Sequence, residues 1–248
     1  MSDASQRAAA LRILAALDLT DLSDDADEAG LDRLCERALT SHGPVAAVCV
    51  WPRFVGRAAK ALAGSGVRIA TVANFPLGAG DVAAVLDEVD SALSEGADEI
   101  DLVIAWRALR AGAPEPTIAL LDAVREATAG RPLKAILETG ELATPALIAQ
   151  ASRLALDAGA DFLKTSTGKT RISATPAAAR VMLETIAASG LPAGFKASGG
   201  VRTLADATVY LDLTRDILGA AATAPERFRI GASGLLDALL AALDAPAA

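Results

Sequence analysis

The sequence predicts an α/β protein of the (β/α)8 TIM-barrel class, with an extra helix ahead of its first strand. Three observations lead there. Eight short apolar runs alternate with helical segments along the chain. The length, 248 residues, suits one barrel of about 250 residues. The most unusual polar side chains fall at the carboxyl ends of the runs, where such barrels carry their chemistry. Alternating units imply right-handed crossovers and a parallel sheet, and eight of them close naturally into a barrel. No linker, low-complexity block or shift of composition divides the chain, so residues 1–248 read as one barrel domain. The competing architecture is an open doubly wound sheet. It normally carries a glycine-rich fingerprint after its first strand, and Asp18-Leu19-Thr20 carries none.

Leu11, Leu14 and Leu17 recur at helical spacing from Gln6 to Leu17 and give the preceding helix; Leu17-Asp18-Leu19-Thr20 is the short first strand. Ser23 and the acidic stretch Asp24 to Glu28 suit a helix amino terminus, and Leu31, Leu34, Ala38 and Leu39 form that helix's buried face. After Gly43-Pro44, residues 45–50 make an unbroken apolar run, the pattern of a strand buried on both faces. Pro52-Arg53 opens a helix to Leu62, Gly64-Ser65-Gly66 ends it, and residues 67–72 are the third strand. Asp81 to Ser94 is helical and leads to a strand over 99–104; Pro116 to Thr128 is helical and leads to a strand over 133–138. Thr144-Pro145 and Thr175-Pro176 each place proline at a first helical position, where its missing N–H costs nothing. The helices they open run to about Ala158 and Ala188, and strands over 161–164 and 193–196 follow them. Thr203 caps a helix to about Leu218, residues 227–232 are the eighth strand, and Gly234 to Leu243 is the closing helix.

Composition narrows the function. The formal net charge is -8 and the sequence pI about 4.7, which repels a phosphate backbone; aromatic residues, at 3%, are too few for base-stacking platforms. No nucleic-acid partner is expected. The amino terminus, Met1 to Ala10, lacks a basic segment followed by an apolar core, and no uncharged apolar run reaches the roughly 18 residues of a spanning helix. No membrane association is expected. Cys35 and Cys49 form no Cys-x-x-Cys pair, which suits a cytoplasmic protein, and the single histidine, His42, reads as an exposed loop residue that cannot build a multi-histidine metal site.

The reactive groups keep to strand ends. Asp18 ends the first strand, Cys49 the second, Lys164 the sixth and Lys196 the seventh; Asp101 interrupts the fourth, and Lys134 and Glu138 flank the fifth. Adjacent strands lie about 4.8 Å apart, so Lys164 and Lys196 share one small volume. Burial and a like charge then favour a neutral, nucleophilic amine, each lysine depressing the other's pKa. Ion pairs with Asp101 and Glu138, or ammonium heads reaching water, account for the same residues equally well. Asp101 is an isolated carboxylate that could partner a lysine and shuttle protons, Asp18 could simply satisfy loop amides, and Cys49 reads as an inert buried hydrophobe. Three glycine loops, Thr167-Gly168-Lys169, Gly199-Gly200-Val201-Arg202 and Gly231-Ala232-Ser233-Gly234, follow the last three strands. Converging backbone N–H groups, a helix amino terminus and Lys169 suit an anion there; plain turns are the alternative.

Several blocks in order resemble the deoxyribose-phosphate aldolase family. They are Lys164-Thr165-Ser166-Thr167-Gly168-Lys169, Gly194-Phe195-Lys196 leading to Gly199-Gly200-Val201-Arg202-Thr203, and Leu133-Lys134 leading to Glu138-Thr139-Gly140-Glu141-Leu142. Cys49 before Trp51-Pro52-Arg53-Phe54, the run from Thr71 to Pro76, Asp98 to Asp101 and Trp106-Arg107-Ala108-Leu109 extend the similarity from about Leu17 to Leu240. The resemblance implies a class I aldolase, free of metal and organic cofactor, that reversibly cleaves 2-deoxy-D-ribose 5-phosphate into glyceraldehyde 3-phosphate and acetaldehyde. It implies Lys164 as the Schiff-base lysine, with Asp101 and Lys196 as the proton relay. Asp18, Thr167, Gly168, Lys169, Gly199, Gly200, Val201, Arg202, Gly231, Ser233 and Gly234 become the substrate- and phosphate-binding set. A homodimer is implied as well.

Three features depart from the family. Ala197-Ser198 stands where relatives often have Pro-Ala, Gly234 replaces a frequent serine, and the tail Asp244 to Ala248 has no tyrosine to reach the site. Two further readings stay open at this point: a Schiff-base barrel aldolase of different substrate range, and a non-catalytic barrel that binds sugar phosphates.

Overall fold

The computed structural model describes residues 3–78, 81–128 and 130–245. Eight strands, each parallel to both neighbours, close in chain order into a barrel: β1 Leu17–Asp21, β2 Ala47–Val50, β3 Arg68–Ala73, β4 Glu99–Val103, β5 Leu133–Ile136, β6 Phe162–Lys164, β7 Gly194–Ser198 and β8 Phe228–Ala232. β1 closes the ring on β8 with Leu17 opposite Ile230 and Asp18 opposite Gly231. Helices α1 Asp3–Ala15, α2 Glu28–Arg37, α3 Val55–Ala61, α4 Val82–Ser94, α5 Trp106–Arg110, α6 Glu115–Ala127, α7 Thr139–Leu142, α8 Pro145–Asp157, α9 Pro176–Ser189, α10 Leu204–Leu218 and α11 Leu235–Asp244 surround it. The expected extra helix is α1, which packs on α11 beside the amino-terminal end of the barrel. Among the described residues no helix is long and apolar enough to cross a membrane.

The helix starts follow from side-chain caps. Thr144, Thr175 and Thr203 accept hydrogen bonds from the amides of Leu147, Ala178 and Asp206, and Asp206 returns the bond to Thr203 as a capping box. The second helix starts later than its acidic run suggested. Asp27 accepts from the Gly30 amide and fixes the first turn there, which leaves Ser23, Asp24 and Asp25 in the preceding loop. It also ends earlier. Leu39 leaves the helix for a two-stranded hairpin with Pro44 and is 50% exposed, so it does not belong to the buried face.

Other boundaries moved for similar reasons. Leu17 is drawn out of α1 because its carbonyl accepts from Ala46 as β1 pairs with β2. β5 stops at Ile136, since Glu138 adopts a left-handed backbone (φ 55°) and begins the single turn α7. β7 runs on to Ser198, whose amide donates to Thr165 Oγ1 and whose neighbour in register is Gly231. The helix opening at Pro52 begins as a 3-10 turn, and α5 is a short helix the periodicity did not disclose. His42 is not a free loop residue, because its Nε2 lies 2.7 Å from Asp244 Oδ1. Pro246 to Ala248, the end of the tail without a tyrosine, lie outside the described residues.

Most apolar side chains pack between the strands and the helices in one continuous core. Inside the barrel a second, small cluster of Leu22, Ala47, Cys49, Ala70 and Val72 sits apart from it. It lies on β2, β3 and the loop after β1, and leaves the remaining interior to charged groups.

Gly140, at the start of α7, sits against the backbone of the loop that follows β6. An added Cβ would lie 2.0 Å from the Ile172 carbonyl oxygen. Gly140→Ala is therefore expected to cost about 1–3 kcal/mol of stability through overpacking, read from urea unfolding. Gly64→Ala, which has open space but a φ of +76°, is the comparison at about 1 kcal/mol. A smaller loss at Gly140 than at Gly64 would show that the Ile172 loop yields freely.

Candidate active site

Period-two alternation along neighbouring strands brings the charged residues together. Lys164 on β6 stands in register with Lys196 on β7, and Asp101 on β4 with Lys134 on β5. All four are buried. Asp101 is the hub. Its Oδ1 accepts from Lys134 Nζ at 2.6 Å, and its Oδ2 accepts from Lys164 Nζ and Lys196 Nζ, each at 2.7 Å. Lys196 also donates to Asp18 Oδ2 at 2.5 Å, and Asp18 Oδ1 accepts from Arg229 at 2.7 Å. Arg229 continues to Glu99 at 2.9 Å, and Glu99 lies 2.7 Å from Lys134. Gly231 leaves the room for this arrangement, since a Cβ there would come within 3.0 Å of Lys196 Cε.

Unpaired buried charge is costly, so the balance of the cluster decides its protonation. Four cations, Lys134, Lys164, Lys196 and Arg229, face three carboxylates, Asp18, Glu99 and Asp101. Lys164 meets one carboxylate, and the other cations meet two or more. Burial is the largest influence on Lys164 and lowers its pKa; Asp101 opposes this and Lys196 reinforces it, and the net direction is down. On Lys196 burial is again the largest influence, but Asp101 and Asp18 outweigh it and the pKa rises. The expectation that each lysine depresses the other therefore holds for Lys164 alone, because Lys196 has a second carboxylate.

The carboxylates respond in the opposite sense. Burial pushes Asp101 and Asp18 up, yet the surrounding ammonium and guanidinium groups hold both well below the ordinary range. Cys49 faces the lysines from the small apolar wall, and burial pushes its thiol up, away from the reactive thiolate.

The glycine loops meet beside this cluster, at the carboxyl ends of the strands. Thr167, Gly168, Lys169, Gly199, Gly200, Val201, Arg202, Gly231, Ser233 and Gly234 line one cavity of about 480 Å³, together with Thr20 to Ser23, Ser198 and Ala232. Asp18, grouped with these loops by sequence, is not among the lining residues; it lies fully buried between Lys196 and Arg229. Of the two helices that start at the cavity, α10 has its Asp206 amide taken by Thr203 in the capping box, whereas α11 follows Gly234, which offers no capping side chain. The α11 amides thus stay available to an anion. Lys169 reaches across to Asp24 at 2.9 Å. Glu138 ties down the loop after β6 by accepting from Thr167 Oγ1, the Thr167 amide and Thr170 Oγ1. Burial, first among its influences, raises the Glu138 pKa.

Sequence reasoning passed over Glu99 and Arg229. The signal was present in strand parity: Glu99 precedes Asp101 by two residues and Arg229 precedes Gly231 by two, so each shares an inward face. Among the described residues no group of three or more His, Cys, Asp or Glu is arranged to hold a metal ion.

The chain is similar to known proteins in sequence and in fold. A family model described as the DeoC/LacD family aldolase matches residues 12–240. A deoxyribose-phosphate aldolase of Agrobacterium fabrum is 48% identical over 236 residues, covering 94% of this chain and 91% of that protein. The apo crystal structure of a Toxoplasma gondii protein, provisionally assigned as a deoxyribose-phosphate aldolase, superposes with a TM-score of 0.89 at 26% identity over 97% of this chain and 98% of that one. The tetrameric deoxyribose phosphate aldolase of Aeropyrum pernix shares the fold, with a TM-score of 0.77 at 24% identity over 98% and 96% of the two chains. On the match across residues 12–240 and the identity to the Agrobacterium enzyme, the chain belongs to the DeoC/LacD family of aldolases.

Proposed function

We propose that the protein is a class I deoxyribose-phosphate aldolase that reversibly cleaves 2-deoxy-D-ribose 5-phosphate into D-glyceraldehyde 3-phosphate and acetaldehyde. The observation that carries this reading is the state of Lys164: a buried amine at a strand end, held by one shared carboxylate oxygen beside a second lysine. In the cleavage direction the neutral Lys164 amine attacks the C1 aldehyde, and loss of water leaves an iminium. A base takes the proton of the C3 hydroxyl, the C2–C3 bond breaks, and its electron pair moves into the iminium to give an enamine. Glyceraldehyde 3-phosphate departs. Protonation of the enamine at C2 and addition of water then release acetaldehyde and the amine.

Asp101 and Lys196 serve as the proton relay, since Asp101 Oδ2 touches both Lys164 Nζ and Lys196 Nζ. Lys134 keeps the other Asp101 oxygen fixed. The wall of Ala47, Cys49, Ala70 and Val72 suits a two-carbon apolar fragment. The phosphate belongs in the glycine-loop cavity, against the α11 amino terminus, Ser233 and Lys169. The reading carries with it a cytoplasmic homodimer that needs no metal or organic cofactor, as the family resemblance implies.

Three measurements test it. Borohydride added with acetaldehyde is expected to leave an ethyl group on Lys164, found by peptide mass mapping, and Lys164→Met is expected to abolish the adduct and lower kcat/KM by at least about a thousandfold. An adduct on another lysine, or none, refutes the mechanism; the absence of any adduct on the wild type favours the non-catalytic barrel. The pH dependence follows from the lowered Lys164 pKa: the ammonium form is inert, so trapping accelerates as pH rises through that pKa and levels off. Its midpoint should lie below 10.5, the ordinary lysine value; a midpoint at or above it contradicts a neutral amine. Phosphate anchoring predicts that Lys169→Ala raises KM for 2-deoxyribose 5-phosphate by about tenfold with little change in kcat, a charge-assisted contact being worth about 1.5–3 kcal/mol. Equal kcat/KM for 2-deoxyribose with and without its phosphate would instead favour an aldolase of different substrate range.

A further inference from the structure

The charged interior continues below the proposed relay. Glu99 begins β4 and Arg229 lies early in β8, and both line a cavity of about 590 Å³. That cavity is bounded by α1, the Gly43-Pro44 turn and the amino-terminal ends of the strands, so it lies at the opposite end of the barrel from the glycine loops. A substrate that reaches Lys164 from the loop side does not touch Glu99 or Arg229. Neither residue has a part in the proposed chemistry, yet both are buried, and buried ions of this kind are costly to keep.

Their contacts form two branches that end on the same carboxylate. In one, Glu99 holds Lys134 at 2.7 Å and Lys134 holds Asp101 at 2.6 Å. In the other, Arg229 holds Asp18 at 2.7 Å, Asp18 holds Lys196 at 2.5 Å, and Lys196 holds Asp101 at 2.7 Å. Glu99 shares Lys134 with Asp101, and Arg229 shares Asp18 with Lys196. We infer that Glu99 and Arg229 are positioning residues, which set from the barrel floor how much of the Asp101 carboxylate remains for Lys164. The inference rests on the Schiff-base role proposed for Lys164.

The two residues act with opposite sign. Without the Glu99 charge, Lys134 is left to Asp101 at 2.6 Å and, more distantly, Asp18 at 3.4 Å, so it leans harder on Asp101, and Lys164 loses part of its counter-ion and gives up its proton more readily. Without the Arg229 charge, Asp18 turns to Lys196 at 2.5 Å and Lys134 at 3.4 Å, both lysines lean less on Asp101, and Lys164 keeps its proton to higher pH. The groups that act on Lys164 directly are Asp101, Lys196 and Cys49. Those that act on Glu99 are Lys134, Arg229 and Asp18, with Arg68 at 3.6 Å on the rim.

The test is the pH midpoint of borohydride trapping of acetaldehyde on Lys164, followed by mass spectrometry of the intact chain. Relative to wild type, Glu99→Gln is expected to lower the midpoint by about one unit and Arg229→Gln to raise it by about one unit, the size of one charge acting across a barrel interior. The double variant should fall between the two single variants, without strict additivity, because Glu99 and Arg229 contact each other at 2.9 Å within one network. A purely structural role slows trapping in both variants and moves the midpoints together or not at all; either result overturns the inference. If the glutamine variants do not fold, Arg68→Glu decides, because Arg68 is 55% exposed and its replacement leaves the core intact. It should raise the midpoint by a few tenths of a unit, and an unmoved midpoint there also overturns the inference. Failure of wild type to trap acetaldehyde at all removes the aldolase reading itself, a different outcome from trapping with unmoved midpoints.

Discussion

Asp101 offers two oxygens to three buried ammonium groups, and the rest of the barrel interior follows from that shortage. Ions removed from water survive only where partners replace hydration. Here Asp18 and Glu99 supply Lys196, Lys134 and Arg229 with what Asp101 lacks. The remainder falls on Lys164, whose pKa drops through burial. A lysine whose folded pKa lies below its unfolded value costs stability, in full below the folded pKa and not at all once pH exceeds the unfolded one. Asp18, Glu99 and Asp101 work the other way: their depressed pKa values contribute stability above their unfolded values, which is lost as pH falls through the folded ones. The Lys164 amine is thus kept in place by carboxylates that favour the folded state at neutral pH.

Backbone geometry delivers this chemistry through register. Side chains two apart on one strand share a face, so Glu99 and Asp101, and Arg229 and Gly231, enter the same interior at successive heights. Gly231 supplies space for the Lys196 stem, and Ala47, Cys49 and Ala70 keep the facing wall small. Outside the barrel the helices cover the strands with an aliphatic core, which gives a rigid frame to a site whose charges would otherwise separate.

The alternation of elements was legible because parallel strands buried on both faces read as apolar runs, and the runs from Val45 to Val50 and from Ala135 to Leu137 stand out clearly. Lys164, Lys196 and Asp101 were legible for the same reason, as charges interrupting such runs. Glu99 and Arg229 were legible only through strand parity, because a charge near a strand start otherwise looks like the solvated flank of any strand. Nor does sequence reveal which carboxylate meets which amine. Asp18 and Lys196 are 178 positions apart and meet only because β1 and β7 both flank β8 in the closed ring. That closure turns Asp18 from an apparent loop ligand into a counter-ion, and raises the Lys196 pKa where its strand alone suggested a fall. Leu39 misled for a different reason: helical spacing persisted for two residues after the backbone had left the helix for the hairpin.

Lys164 at the end of β6 and Lys169 in the loop that follows are held in contrasting ways. Lys164 is fixed by a buried network, in which breaking one contact strands a charge. Lys169, five positions on, is tied to Asp24, a carboxylate that is 92% exposed. An ion pair so open to water is worth about 0–1 kcal/mol, which on the proposed reading lets Lys169 exchange it for the substrate phosphate. The nearby helix starts are graded likewise: α10 is closed by the Thr203–Asp206 box, and α11 begins at an uncapped Gly234. On the proposed reading, an incoming phosphate meets the α11 start, which has no side-chain cap, with Ser233 beside it. Because Lys164 and Lys169 belong to one segment anchored by Glu138, the same short stretch of backbone sets the Lys164 amine and the proposed phosphate contact.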